Sequence, residues 1–171
     1  MSNKELEVPK EAKIDVNPTE GDKVILNYTL PNKNKSRVDN RKVSLFVYGT
    51  LVQGGSNHHF LRHATLISTP CWVYGELHDT GLGYPVLKKN QTKRVWGELY
   101  EVTKEQLKRI DQLEDYSPLN KLNEYIRVVQ RVHTEKHTVD AYVYFAGEKL
   151  ADCENLIEKG NWLHYLYDIG I

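Results

Sequence analysis

The chain has 171 residues, 23 basic and 23 acidic side chains and a formal net charge of zero, which suits one domain with a proper core and room for an appendage. Neutrality removes the electrostatic case for nucleic acid or an anionic membrane as partner. No apolar run approaches a membrane span and residues 1–5 lack the hydrophobic stretch of a signal peptide, so a cytoplasmic location is expected.

Residues 1–42 read as a separate extension or linker. Lysines and arginines alternate there with acids, Pro9, Pro18, Gly21 and Pro31, and only residues 24–30 suggest a strand. Residues 31–36 read as a turn or linker. From Val43 the pattern tightens. Residues 44–48 read as the first strand, since 45–48 form a short apolar run with an aromatic and a β-branched residue, as in a buried strand. Gly49 breaks it, residues 53–56 read as a flexible loop, and Ser56 or Asn57 is placed to cap a short helix through Ala64. Residues 65–78 are strand-like with a turn near Pro70. A glycine-rich connection over 79–85 leads to a short strand at 86–88. Residues 94–102 alternate in the period of a strand. Thr103 and Gln106 form a capping box for a helix to about Glu114, with Leu107, Ile110 and Leu113 as its apolar stripe. Residues 125–133 and 138–146 are two more strands, and a polar amphipathic stretch from about 152 to 167 follows. Strands in hairpin-like succession predict an α+β domain on a mostly antiparallel, strongly curved sheet.

Several features bear on chemistry. A glycine closing a buried strand allows a sharp turn and a close approach to the main chain, and the amides of Gly49, Thr50 and Leu51 would leave the sheet there, free to donate to something negative. The same residues are also compatible with a plain turn. Glu114 is either a solvated carboxylate at a helix end or, four residues after Ile110 on the edge of the apolar face, one that points into a cavity. Free amides and a lone carboxylate together are the parts for base-assisted attack on a carbonyl. Tyr125 and Tyr144 either pack in the sheet or line a cavity, and Arg127 pairs with an acid or meets a ligand. Tyr84, Gly81 and Gly83 are candidates for a cavity rim. His59 and His63 are four apart but lack a third ligand and read as a solvated surface, as do His133 and His137. Cys71 and Cys153, in no CxxC arrangement, are expected to be free thiols. No Gly-x-Ser-x-Gly elbow, phosphate loop or dinucleotide fingerprint is present, and no metal or cofactor is expected.

The run Phe46-Val47-Tyr48-Gly49-Thr50-Leu51 resembles the Tyr-Gly-(Ser/Thr)-Leu signature of the γ-glutamylcyclotransferase-like family, which includes AIG2-like members. Gly97-Glu98-Leu99-Tyr100, Ile110-Asp111-Gln112-Leu113-Glu114 and Tyr125-Ile126-Arg127 follow in the family's order, and the match covers residues from about 43 to 165. One departure is visible: many members have glycine where this chain has Asp115, which puts a second carboxylate beside the candidate base. The resemblance implies a small mixed β-barrel with flanking helices over residues 43–171. It also implies cyclisation of a γ-glutamyl group to 5-oxoproline with release of an amine or amino acid from a small-molecule substrate. Glu114 would be the catalytic base, and Tyr48, Gly49, Thr50, Leu51, Tyr84, Tyr125 and Tyr144 the substrate-binding set. Two other readings stand beside it: a non-catalytic small-ligand module on the same fold, and an interaction protein acting through residues 1–42.

Overall fold

A computed structural model describes residues 13–15, 27–29, 41–120 and 122–171. The chain divides into two units, residues 1–38 and 39–171. In the first, strands β1 (Lys13–Asp15) and β2 (Asn27–Thr29) pair antiparallel, with Ile14 opposite Tyr28. Of the strand anticipated at 24–30, positions 27–29 are thus extended. Its remaining positions and the turn at 31–36 lie outside the described residues.

The second unit is built on a closed five-stranded barrel. Its strands are β3 (Lys42–Val47), β4 (Thr65–Tyr74), β7 (Arg94–Thr103), β8 (Tyr125–His133) and β9 (Thr138–Ala146), in the order β3-β7-β4-β8-β9. All neighbours are antiparallel except β3 and β9, which close the barrel in parallel through Leu45 and Tyr142. Beside it lies a three-stranded sheet of β5 (Glu76–Asp79), β6 (Pro85–Lys88) and β10 (Asn155–Leu156). The α+β, mostly antiparallel barrel expected from the sequence is therefore the fold.

The alternation of side chains explains the layering. Phe46, Val95, Leu99, Val143 and Phe145 belong to one apolar cluster, while Leu45, Val47, Tyr100, Val102 and Tyr144 from the same strands belong to a second. Successive side chains of a strand face opposite ways, so a closed barrel sends one set inward and one outward. The second set also holds Leu107 and Ile110 of helix α1 (Lys104–Leu113), so it is the face that α1 covers. Thr103 and Gln106 fix the start of α1 by a reciprocal box: Gln106 N–H donates to Thr103 Oγ1 at 3.1 Å and Thr103 N–H to Gln106 Oε1 at 3.0 Å.

The structure departs from the sequence reading in four places. Where a turn near Pro70 was expected, β4 runs on through it, with a shift of register between Ser68 and Cys71. Residues 65–78 are two strands, because Gly75 ends β4; a Cβ there would stand 2.4 Å from Leu87 Cδ1. The anticipated helix after Ser56 is only a 3-10 turn, His58–Leu61. Asn57 precedes it without capping it, its side chain donating instead to Thr50 Oγ1 at 3.0 Å. The stretch 152–167 contains β10 and a seven-residue helix α2 (Trp162–Asp168), started by His164 N–H donating to Asn161 Oδ1 at 3.0 Å. Among the described residues no helix is long and apolar enough to cross a membrane.

Candidate active site

The end of β3, the end of α1 and the loop before β6 enclose a cleft of about 330 Å³. Its first wall is the turn after β3. Val52 N–H donates to Gly49 O, and Asn57 N–H to Thr50 O at 2.9 Å. His58 Nδ1 lies 2.9 Å from Leu51 O, and the buried Glu98 carboxylate accepts from Gln53 N–H at 3.0 Å and from Tyr100 OH at 2.8 Å. The turn is therefore anchored through its carbonyls and its far end. Among the described residues the N–H groups of Thr50 and Leu51 donate to no protein acceptor, so they remain available to a bound oxygen. Gly49 is needed for close packing rather than for an unusual φ: a Cβ would meet the ring of Pro85 at 2.9 Å. Thus the close neighbour that position 49 accommodates is Pro85, itself a wall of the cleft.

The opposite wall is the end of α1. The helix closes with Tyr116 N–H donating to Asp111 O at 2.8 Å and Asp115 N–H to Gln112 O at 3.4 Å, which is a Schellman closure. Its left-handed position is occupied by Asp115, at φ 45°. Asp111 ties this turn to the barrel. Both its oxygens accept from Arg127 Nη1, and Tyr144 OH donates to Oδ1 at 2.6 Å. The Arg127 guanidinium also lies over the rings of Tyr116 and Tyr142. Arg127 therefore pairs with an acid and does not line the cleft.

This closure delivers Glu114 to the cleft. No described residue donates a hydrogen bond to its carboxylate. Burial, reinforced by the nearby charges of Glu124 and Asp111, raises its pKa from 4.5 to about 8. The expected electrostatic neighbour was Asp115; instead Asp115 turns outward to Lys149 at 2.6 Å. Glu124, just before β8, supplies the second carboxylate of the cleft. The sequence reading missed it, since it precedes the tyrosine of the Tyr-x-Arg motif without belonging to the motif.

Tyr48, Thr50, Leu51, Tyr84, Tyr125 and Tyr144 all line the cleft, with Gly49. Three of the tyrosine hydroxyls are already committed: Tyr48 OH donates to Tyr144 O at 2.9 Å, Tyr125 OH to Pro85 O at 2.7 Å, and Tyr144 OH to Asp111. Burial pushes the pKa of each upward, so they stay neutral. Their rings are walls and their donors hold the walls together. On the rim, Leu82, Gly83 and Tyr84 face the cleft while Gly81 does not. Gly81 and Gly83 hold φ of 72° and 87°, and between them Leu82 stands 68% exposed. Cys71 is a buried thiol raised to about 12, and both cysteines are free.

The sequence and the barrel fold match known proteins. The Gamma-glutamyl cyclotransferase, AIG2-like family matches residues 45–164, and the chain belongs to it. Its relatives include the γ-L-glutamyl-butirosin B γ-glutamyl cyclotransferase of Niallia circulans, 43% identical over 121 residues, covering 68% of this chain and 74% of that one. Among solved structures, YkqA from Bacillus subtilis is similar with a TM-score of 0.62 and 25% identity; the match covers 77% of this chain but only 44% of YkqA. A mouse AIG2-like protein shares the fold at a TM-score of 0.59 and 23% identity, covering 71% of this chain and 88% of that one.

Proposed function

We propose that the protein is an enzyme that cyclises a γ-glutamyl group to 5-oxoproline and releases the amine it was joined to, with Glu114 as the proton carrier. The observation that carries this reading is the Glu114 carboxylate. It stands in a cleft with no protein donor of its own, and its pKa is raised to about 8. The α-ammonium of a peptide has a pKa of about 8, and the free α-carboxylate beside it in a γ-glutamyl group raises that further. Proton transfer to Glu114 is then uphill by a small gap, whereas an ordinary carboxylate would face one of several units.

The steps follow from the substrate's own chemistry. Glu114 takes a proton from the α-ammonium, and the nitrogen lone pair attacks the γ-carbonyl carbon within the same molecule. Charge passes to the carbonyl oxygen, which the Thr50 and Leu51 amides are suited to receive; the same amides also suit the α-carboxylate. The bond to the leaving nitrogen then breaks, its electron pair stays on that nitrogen, and Glu114 returns the proton there; the ring nitrogen, which the attack leaves with two hydrogens, sheds its second proton through Glu114 to the leaving amine, which departs as an ammonium. The ring closes without water. Tyr48, Tyr84, Tyr125 and Tyr144 hold the substrate folded back on itself, the main entropic requirement of cyclisation. That a relative 43% identical is named for a γ-glutamyl substrate supports the substrate class.

The test follows 5-oxoproline release from a panel of γ-glutamyl amides, beside the same amides acetylated on the α-amine. Cyclotransfer requires the free amine and gives no product from the acetylated series. Release of glutamate, or of its N-acetyl form, would mean hydrolysis by water and would overturn the proposal.

A further inference from the structure

In the turn after β3, every carbonyl from Gly49 to Val52 accepts a hydrogen bond. Gly49 O accepts from Val52 N–H at 3.2 Å, Thr50 O from Asn57 N–H at 2.9 Å, Leu51 O from the His58 ring at 2.9 Å and Val52 O from Gly55 N–H at 2.8 Å. Of the N–H groups from Thr50 to Gln53, those of Thr50 and Leu51 alone have no acceptor among the described residues. Among the four donors to these carbonyls, His58 is the only one that acts through its side chain. It is half-buried at the start of the 3-10 turn His58–Leu61, its ring 6.2 Å from that of Tyr100, and it does not line the cleft. A carbonyl oxygen only accepts, so the hydrogen of this bond sits on His58 Nδ1.

A continuous chain starts there. His58 Nδ1–H donates to the Leu51 carbonyl. The N–H of that same peptide group, on Val52, donates to the Gly49 carbonyl. The N–H of the Gly49 peptide group, on Thr50, is a free amide of the cleft wall. Hydrogen bonds in series polarise one another, and each one fixes the plane of the peptide group it touches. Glu98 secures the far end, its Oε2 accepting from both Gln53 N–H and Tyr100 OH. We infer that His58 is a positioning residue for the cyclisation. Through two peptide groups it aims and strengthens the Thr50 N–H as donor to the carbonyl oxygen that gains negative charge. A dipole held in place before the substrate arrives needs no reorganisation as that charge develops. The inference rests on the cyclotransferase reading above.

The experiment follows 5-oxoproline release from one γ-glutamyl amide and compares kcat and KM in the wild type, His58→Leu, His58→Asn and His59→Leu. Leucine keeps the apolar bulk and removes the donor. Asparagine carries an N–H group on Cγ, as histidine does, and can restore the bond to Leu51 O. His58→Leu should lose roughly 10- to 100-fold in kcat, with KM held within about threefold. His58→Asn should recover to within about fivefold of the wild-type kcat. His59→Leu, at an exposed position of the same turn, should match the wild type. A merely structural role predicts the opposite order for the two His58 variants, because an apolar side chain suits a half-buried position better than an unpaired amide does. Wild-type rates in a folded His58→Leu, a loss confined to KM, or His58→Asn no more active than His58→Leu would each overturn the inference while 5-oxoproline release still stood. The wild type offers a check that needs no variant: the neutral His58 ring should carry its hydrogen on Nδ1, read from its ring nitrogen resonances, and a hydrogen on Nε2 alone would overturn the inference. No 5-oxoproline from the wild type would instead overturn the cyclotransferase reading and this inference with it.

Discussion

At the scale of single residues, Glu114 is the group whose protonation would link stability to the proposed activity. Its folded pKa is raised from 4.5 to about 8, so between those values the folded protein binds a proton that the unfolded chain has released. The sign follows: this group costs little stability near pH 5, and its penalty grows as pH rises and levels off above about 8. Glu114→Gln removes the penalty. The variant should lose roughly 10²- to 10⁴-fold in kcat. It should also gain roughly 1–4 kcal/mol of stability over wild type at pH 9 and much less at pH 5, measured by urea unfolding at both. Activity of the wild type should rise as Glu114 ionises near pH 8 and fall as the α-ammonium deprotonates at higher pH, a bell in kcat/KM centred between the two. Asp115 makes a separate prediction. It occupies a left-handed φ of 45° that glycine holds without steric cost, and its exposed pair with Lys149 is worth little. Asp115→Gly should therefore stabilise by about 0.5 kcal/mol or be neutral. It should leave the pH profile unmoved, because the charges felt by Glu114 are those of Glu124 and Asp111.

At the scale of elements, the register of α1 on the barrel decides where Glu114 points, and Asp111 sets that register. Asp111→Ala would leave the Arg127 guanidinium and the Tyr144 hydroxyl without their acceptor. A loss of about 2–3 kcal/mol is expected, with kcat falling while Tyr144 and Glu114 drift apart; urea unfolding and steady-state kinetics measure the two effects. This linkage also shows what the sequence could tell. The start of α1 was legible because Thr103 and Gln106 satisfy each other locally, and β8 and β9 because their periodicity is uninterrupted. The split at Gly75 was not, since it depends on the Leu87 side chain from another strand. Glu114 and the turn at Gly49 were legible through a resemblance of motifs. Glu124 was invisible to that route: nothing in the local pattern says that the residue before Tyr125 faces the end of a helix. The commitment of three tyrosine hydroxyls to protein carbonyls and to Asp111 was hidden for the same reason, because their partners are distant in sequence.

At the scale of the whole molecule, the barrel closes through the parallel pairing of β3 with β9, elements far apart in the chain, and a closed barrel leaves no edge strand unpaired. Both apolar clusters are drawn from residues 43 onward among the described residues, and so is every wall of the cleft. The β1–β2 pair forms a sheet of its own and adds no strand to the barrel. Among its described residues, the extension read from the sequence as residues 1–42 thus contributes only Lys42, the first residue of β3, to the barrel and none to the lining of the cleft. Removing residues 1–40 should accordingly leave a folded catalytic domain. Its melting temperature should stay within about 4 °C of the full chain, equivalent to under 1 kcal/mol for a domain of this size. Its kcat/KM for a γ-glutamyl amide should be unchanged within about twofold, a difference under 0.5 kcal/mol in transition-state stabilisation. Thermal unfolding and 5-oxoproline release on the truncated protein check both. An insoluble or inactive truncation would mean that the extension covers apolar surface of the barrel or completes the cleft. Unchanged activity with a lost binding partner would instead return the extension to the interaction role that its charged, proline-punctuated sequence also allows.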